Sequence, residues 1–240
     1  MANSEIIGAG QDTARRAPKK YKIIYADPPW SYYNDMTVVP EKNHSGLGCM
    51  RKVPYPVMSS ADIKKLNVSS IADENCILFI WTTDYHLSRC CEVISAWGFT
   101  YKTVGFVWQK LNTKKEPVCF MGTYTLKSGV ELCLLATKGK QAAKLVKNRK
   151  IRALVQSVRE HHSKKPDEIR NRIVALCGDI PRIELFARQR VDGWDAWGNE
   201  IEESPVLGEE SPAQDTMEIC HTAPNSASPK AAQVTMELGL

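Results

Sequence analysis

The sequence lacks three kinds of segment, and each absence excludes a class of protein. No apolar run approaches the ~20 residues that cross a bilayer, and the N-terminus has no apolar signal-peptide core. The eight cysteines include no C-x-x-C pair and lie mostly in apolar runs, as is typical of reduced, buried thiols rather than disulfides or zinc ligands. We therefore expect a soluble, intracellular protein with no membrane partner and no bound metal.

The composition is that of a globular domain with uneven charge. With 43% hydrophobic and 25% charged residues, the 240-residue chain carries enough apolar material for one sizeable core. The basic stretch, residues 138–152, contains seven cations and no acid, so it would attract a partner that carries phosphates. The alternative is a solvated surface, the common state of such runs. The seven cations are Lys138, Lys140, Lys144, Lys147, Arg149, Lys150 and Arg152.

The two ends of the chain differ from its middle. Residues 1–20 are polar, without periodicity, and basic near their end, which predicts a flexible basic arm. From about Ile201 the composition shifts to Glu, Ser, Pro, Ala and Thr, which predicts a disordered acidic and polar tail over residues 205–240. One folded domain over residues 21–204 remains.

Apolar runs alternate with amphipathic ones inside this domain. We predict strands over 21–26, 76–81, 101–108, 130–137 and 182–187, and helices over 59–68, 85–97 and 166–178. Apolar strands alternating with helices favour an α/β fold whose mostly parallel sheet is flanked by helices. Ligands bind beyond the carboxyl ends of such strands, where we expect four residues to converge. They are Asp27, Trp81, Trp108 and Arg188.

The tetrapeptide Asp27, Pro28, Pro29 and Trp30 directly follows the first predicted strand. An aromatic amino group is a poor nucleophile because its lone pair is delocalised into the ring. A carboxylate from Asp27 and the Pro28 carbonyl could each accept one N–H, which would turn the lone pair toward a methyl donor. Trp30 offers a flat face on which a base could stack. The alternative is an ordinary turn or a proline-rich ligand segment.

Several ordered blocks between Tyr21 and Glu200 resemble one family. This family comprises the adenine N6-methyltransferases related to the catalytic subunit of the eukaryotic messenger-RNA adenosine methyltransferase. The resemblance implies a Rossmann-like, S-adenosylmethionine-dependent methyltransferase with a permuted order, in which the catalytic strand comes first and the cofactor strand last. That order explains why no G-x-G-x-x-G follows an early strand. The blocks begin at Ile24, Pro54, Leu78, Gly129, Lys164 and Ile183.

The resemblance also assigns roles to single residues. It gives catalysis to the tetrapeptide, and the pocket for the target base and methyl transfer to Tyr55, Trp81 and Trp108. It places Lys165 near the carboxylate of the cofactor's methionine part. The positions matching those around the cofactor's ribose and adenine are Glu184, Arg188, Asn199 and Glu200.

Each of these residues also has a structural interpretation. Glu184 and Arg188 could form a local ion pair, Lys165 could be a solvated residue at a helix start, and the tryptophans could be core. A cofactor with a ribose and a zwitterionic end does need a cation, an acidic acceptor and an amide.

Two stretches depart from the eukaryotic pattern. Residues 31–52 form a longer loop, and we hypothesise that Tyr32 and His44 within it help hold a flipped base or read its neighbours. Residues 189–192 lack the expected His-Asn pair, which leaves the ribose contacts open.

The predicted reaction is methyl transfer from S-adenosylmethionine to the N6 amino group of adenine in DNA, with the base flipped out. We expect the phage and bacterial branch, and so a bacterial or phage-infected cytoplasm, because no long N-terminal extension with zinc modules is present. The alternatives are an RNA adenosine methyltransferase, a cytosine N4-methyltransferase, which more often carries serine in place of Asp27, and an inactive nucleic-acid-binding partner subunit. A monomer or homodimer is expected.

Overall fold

The computed structural model describes residues 19–31, 56–118, 129–160 and 164–201. Three α-helices lie in this part of the chain, α1 Ser60–Lys65, α2 Leu87–Ala96 and α3 Asp167–Cys177, together with short 3-10 turns at Val68–Ser70, Asp84–His86 and Ala142–Leu145. The strands are β1 Tyr21–Ala26, β2 Ala72–Thr82, β3 Thr100–Leu111, β4 Val130–Lys138, β5 Leu154–Val158, β6 Arg182–Leu185 and β7 Asp195–Trp197.

These strands form one sheet in the order β5-β3-β4-β2-β1-β6-β7. β4 is antiparallel to both of its neighbours, and every other pairing is parallel. The prediction of an α/β fold with a mostly parallel sheet is therefore confirmed. All strands except β4 end on one side of the sheet, which we call the carboxyl edge; the other side is the amino edge.

Alternating residues of the central strands supply two cores, one on each face of the sheet. Ile24 of β1 packs in one cluster with residues of α1 and α2, while its neighbour Tyr25 packs in the other with residues of α3. β2 does the same with Leu78 and Phe79, because successive side chains of a strand point to opposite faces. Full burial of each such side chain stabilises the fold by about 1.5–3 kcal/mol. The central strands therefore hold the loops at the edges of the sheet in place.

The predicted helices begin and end close to their sequence signals. Ser59 accepts a hydrogen bond from the Asp62 backbone N–H at 3.1 Å and caps α1, as the pattern predicts. The helix predicted over 85–97 is α2 preceded by the Asp84–His86 turn, and it gives way at Gly98, whose φ of 78° suits glycine. α3 follows Pro166, where a missing N–H does no harm.

The sequence did not predict two of the strands and placed the end of a third too late. β5 and β7 were not predicted, because each is short and lies at an edge of the sheet. The strand predicted over 182–187 stops at Leu185, since Phe186 has a left-handed φ of 61°.

Other predictions concern parts of the chain that are not described. The basic arm, the acidic tail and the long loop over 31–52 lie almost wholly outside the described residues. Within the described part, no helix is long and apolar enough to span a membrane.

Candidate active site

A cavity of about 320 Å³ opens at the carboxyl edge of the sheet. Its walls come from the ends of β2 and β7 and from the loops that follow β1, β2, β6 and β7. Pro56, Met58, Glu131 of β4 and Lys165 complete it. All four residues of the tetrapeptide line this cavity. The expectation that strand ends converge on one cleft is therefore met for β1, β2 and β6.

The tetrapeptide leaves β1 as a tightly bonded loop. The Asp27 N–H donates to the Leu185 carbonyl at 3.4 Å, which ties the loop to the end of β6. The Pro28 carbonyl accepts the Trp30 N–H at 2.9 Å, and this leaves one of its two lone pairs for another donor. The Pro29 carbonyl accepts the Met58 N–H at 2.8 Å. The loop backbone is therefore positioned before any substrate binds.

Two contacts fix the orientation of the Trp30 ring. Its Nε1 donates to the Trp81 carbonyl at 2.9 Å, and its ring stacks on His86 with centroids 5.6 Å apart and an interplanar angle of 20°. The His86 ring nitrogens in turn contact the Thr83 hydroxyl and the Ser31 carbonyl, each at 2.9 Å. Trp30 thus presents a wall of defined orientation to the cavity, only 7% exposed.

Asp27 of the tetrapeptide belongs to a cluster of four charged groups, of which two are buried and two are partly buried. The Lys165 Nζ lies 2.7 and 2.8 Å from the two Asp27 oxygens and 3.2 Å from a Glu131 oxygen. Lys110 forms an ion pair with the other Glu131 oxygen. Two carboxylates and two ammonium groups therefore balance, as buried charges must if they are to remain ionised.

These neighbours shift the pKa values of the cluster in opposite directions. Burial raises the pKa of Asp27 above its usual value, and Lys165 opposes that rise. Burial also acts to raise the pKa of Glu131, but Lys165 and Lys110 outweigh it and hold the pKa below its usual value. Burial acts to lower the pKa of Lys165, and the attraction of Asp27 and Glu131 reverses this, so that the pKa is raised.

The two predicted pocket tryptophans occupy different positions. Trp81 lines the cavity, donates from Nε1 to the Tyr25 hydroxyl at 2.7 Å, and lies 5.4 Å from the Lys165 ammonium. Trp108 is not among the residues that line the cavity. Its ring stands edge-on to Trp81, with centroids 6.3 Å apart, and its Nε1 donates to the Ser157 hydroxyl. Trp108 therefore supports Trp81 instead of contacting a ligand in this cavity.

Glu184 also supports the site from beneath instead of lining the cavity. Both of its oxygens accept from Arg170 of α3 at 2.7 Å. The sequence offered Arg188 as its ion-pair partner, but α3 packs across this face of the sheet and supplies Arg170. Burial raises the pKa of Glu184, with the Arg170 pair acting against the rise.

Two close approaches of the backbone shape the side of the cavity opposite the tetrapeptide. The left-handed turn at Phe186 leads into Ala187, whose N–H donates to the Trp197 carbonyl at 2.9 Å. A Cβ added to Gly198 would lie 2.1 Å from the Ala187 carbonyl oxygen, so only glycine allows the two loops to meet. Arg188 of one loop and Asn199 of the other both line the cavity.

Comparison with known proteins gives the family of the chain. The model of the MT-A70 family matches residues 21–200. The chain belongs to the MT-A70 family. The predicted family is therefore confirmed.

Three relatives illustrate the range of proteins to which the chain is similar. It is 37% identical over 200 residues to the type II methyltransferase M.MunI of Mycoplasma, covering 78% of this chain and 81% of that one. It is 26% identical to the N6-methyladenosine RNA methyltransferase MTA1 of Pyricularia oryzae, covering 82% and 52%. It is also 26% identical to the human N(6)-adenine-specific methyltransferase METTL4, covering 76% and 38%. The prediction of a methyltransferase is confirmed.

The MT-A70 site unites most of the residues singled out from the sequence. Arg188, Asn199 and Glu200 line the cavity together with Trp81 and the tetrapeptide. Lys165 lines it too, but its ammonium is held by Asp27 and Glu131, not placed free for a ligand carboxylate. Three predicted residues lie outside the described residues: Tyr32, His44 and Tyr55.

Sequence reasoning missed Glu131 and Lys110 as parts of this MT-A70 site. Glu131 stands at the start of an otherwise apolar strand, inside one of the blocks that carry the resemblance. A single acid in a buried strand is unusual without a partner, and this signal was available in the sequence. Lys110 gave no comparable signal.

Proposed function

We propose that this chain transfers a methyl group from S-adenosylmethionine to the N6 amino group of adenine in DNA. The observation that carries the proposal is that Asp27 and Pro28, whose carboxylate and carbonyl oxygens can accept N–H groups, both line the cavity. The choice of DNA over RNA follows the higher identity to the type II methyltransferase than to the RNA methyltransferase of Pyricularia oryzae.

The cavity suits this cofactor in size and in chemistry. About 320 Å³ is within the range of small-ligand pockets. The Glu200 carboxylate can accept hydrogen bonds from hydroxyl groups, and the Asn199 amide can bond the edge of a base. S-adenosylmethionine supplies an electrophilic methyl group when bound. The residues of the last two loops would hold its nucleoside part.

The residues of the tetrapeptide would orient the amino group. The Asp27 carboxylate has about four lone-pair sites, so it can accept an N–H while Lys165 stays bonded to it. The free lone pair of the Pro28 carbonyl takes the second N–H. The nitrogen lone pair then points away from both acceptors and toward the methyl donor. The methyl–sulfur bond would break as the C–N bond forms, with the neutral thioether as the leaving group. The nitrogen would then be positively charged and acidic and would lose its proton to solvent, so Asp27 need not be a strong base.

Access to this cavity requires the target base to leave its stack. Trp30 is 7% exposed and the tetrapeptide lies within a recess, so a paired adenine cannot bring its amino group to Asp27. We infer that the base is extruded from a duplex or taken from a single strand. Trp30 would then provide the stacking surface.

Incubation with labelled S-adenosylmethionine tests the proposal directly. The substrates are matched DNA and RNA molecules of the same mixed sequences, followed by nucleoside analysis. We expect N6-methyladenine in DNA. Label confined to RNA would point to the RNA alternative, label on cytosine to the N4 alternative, and no cofactor binding at all to an inactive partner subunit. The monomer or homodimer and the cytoplasmic location stay predictions.

A further inference from the structure

Tyr85 is an exposed aromatic residue at the rim of the cavity. With 56% of its surface exposed, it is the most exposed large hydrophobic residue in the described ranges. It lies two residues after Thr83, which lines the cavity, within the Asp84–His86 turn. An aromatic ring in water at the rim of a ligand cavity is a candidate contact for a flat partner.

Tyr85 is joined to the cavity wall by a series of rings. Its ring stands edge-on to His86, with centroids 4.9 Å apart and an interplanar angle of 84°. His86 stacks in turn on Trp30 of the tetrapeptide. The position of Tyr85 is therefore set by the same buried histidine that positions the catalytic loop.

A cation accompanies the exposed ring. Arg89 lies in the first turn of α2, and its guanidinium is 5.9 Å from the centroid of Tyr85. The acid nearest to Arg89 in sequence is Glu92, whose carboxylate accepts from Lys64 at 3.1 Å. Asp84 is exposed and accepts the Tyr85 backbone N–H at 2.9 Å. The guanidinium lies over one face of an exposed ring. Such a pair matches a nucleotide, whose base can stack on an aromatic ring and whose phosphate can bond the cation.

We propose that Tyr85 and Arg89 bind the nucleotide next to the target adenine. Tyr85 stacks on its base and Arg89 contacts its phosphate. This inference rests on the proposed function. A base drawn into the cavity deprives its neighbour of a stacking partner, and an aromatic ring at the rim replaces that partner.

The experiment compares variants on substrates with and without the neighbouring base. The substrates are a DNA carrying the mapped target site and the same DNA with an abasic nucleotide on either side of the adenine. We expect Tyr85→Ala to raise KM by about 5- to 100-fold on intact DNA and to have little effect on one of the abasic substrates. Tyr85→Phe keeps the ring and should behave as the parent does.

Two further variants complete the design. Tyr101→Ala is the matched control, because Tyr101 is 43% exposed but lies at the start of β3, on the amino edge. It should leave KM unchanged. Arg89→Gln should lower the slope of log affinity against log salt concentration by about one.

The possible outcomes distinguish failure of this inference from failure of the proposed function. Equal KM for the parent and Tyr85→Ala on intact DNA overturns this inference while the proposed function stands. An equal loss for Tyr85→Ala on intact and on both abasic substrates also overturns it, because the ring would then act on the fold and not on a base. A parent chain that methylates no nucleic acid overturns the proposed function and this inference together.

Discussion

The two edges of the sheet use charge in opposite ways. At the carboxyl edge, one recessed cluster contains two cations and two acids that form ion pairs with one another. Its members are Asp27, Glu131, Lys110 and Lys165. At the amino edge, the basic stretch begins at Lys138 and most of its cations are exposed. Buried, balanced charge marks the chemical site here, whereas a run of like charge in the sequence marks a surface.

The direction of β4 explains why the basic stretch is not at the cavity. Lys138 pairs with Cys76, six residues before Thr82 on β2, so it lies roughly 20 Å from the carboxyl edge. Its ammonium donates to the Ser69 hydroxyl at 2.9 Å. The first residues of the stretch therefore lie away from the cavity, because β4 alone runs from the carboxyl edge to the amino edge. Its attraction for a partner that carries phosphates stays a prediction.

The largest effect should follow from removal of the Asp27 carboxylate. Asp27→Ala should lower the rate of methyl transfer by at least about 100-fold, since it removes an acceptor aimed at the reacting nitrogen. Initial rates with labelled cofactor measure this, and Glu74→Ala, at an exposed acid near the start of β2, is the control. A variant that keeps most of its activity would overturn the role of Asp27. A thermal unfolding curve checks that the fold persists.

The next effect concerns the ammonium group that joins the two carboxylates. Lys165→Met should lower kcat by up to about 100-fold through misplacement of Asp27. It should also raise the pKa of Asp27, since it removes the cation that opposes the effect of burial. The acid limb of the profile of kcat/KM against pH should therefore move to higher pH. An unmoved acid limb would show that Lys165 does not act through Asp27.

The third prediction concerns the contribution of Glu131 to the free energy of unfolding. Breaking a buried ion pair by removing one partner costs about 3–5 kcal/mol, so Glu131→Gln should destabilise the fold by that order at pH 7. Because the pKa of Glu131 is lowered in the fold, its contribution is present at pH 7 and is lost as pH falls through the folded pKa. Urea unfolding at several pH values should show the difference between variant and parent shrinking in acid. A constant difference would contradict this.

The smallest effect should come from the amino edge. Replacing Lys144, Lys147 and Lys150 together by Gln should leave KM on a short DNA within about twofold, because exposed substitutions far from a site change little. Steady-state kinetics on a DNA just long enough to hold the site measures this. A tenfold rise in KM would mean that substrate reaches the amino edge, and the contrast between the two edges would fail.

Local patterns predicted the frame of the fold, while partners distant in sequence could not be predicted. The strand 21–26 and the cap at Ser59 are local features and match the structure. Lys165 and Asp27 are 138 positions apart, and only the packing of the loop before α3 brings them together. Arg170 was likewise not foreseen as the partner of Glu184.

The position of Trp108 shows a second limit. The sequence predicts a strand that ends at Trp108, whereas β3 continues to Leu111. Trp108 does share a face of the sheet with Trp81, in the same core cluster. It lies inside the strand, however, and not at its carboxyl end. The apolar pattern could not show this, because the residues that extend β3 are Gln109, Lys110 and Leu111.

The backbone strain at Phe186 cannot be relieved by glycine without a change in the cavity wall. A left-handed backbone costs a residue with a side chain about 1–2 kcal/mol, and glycine would avoid that cost. Yet the Phe186 ring packs edge-on to Trp197, with centroids 5.4 Å apart, and both line the cavity. A glycine introduced here to improve heat resistance would relieve the strain and remove the ring from the wall. Natural or engineered gains in robustness should therefore come from positions elsewhere in the chain.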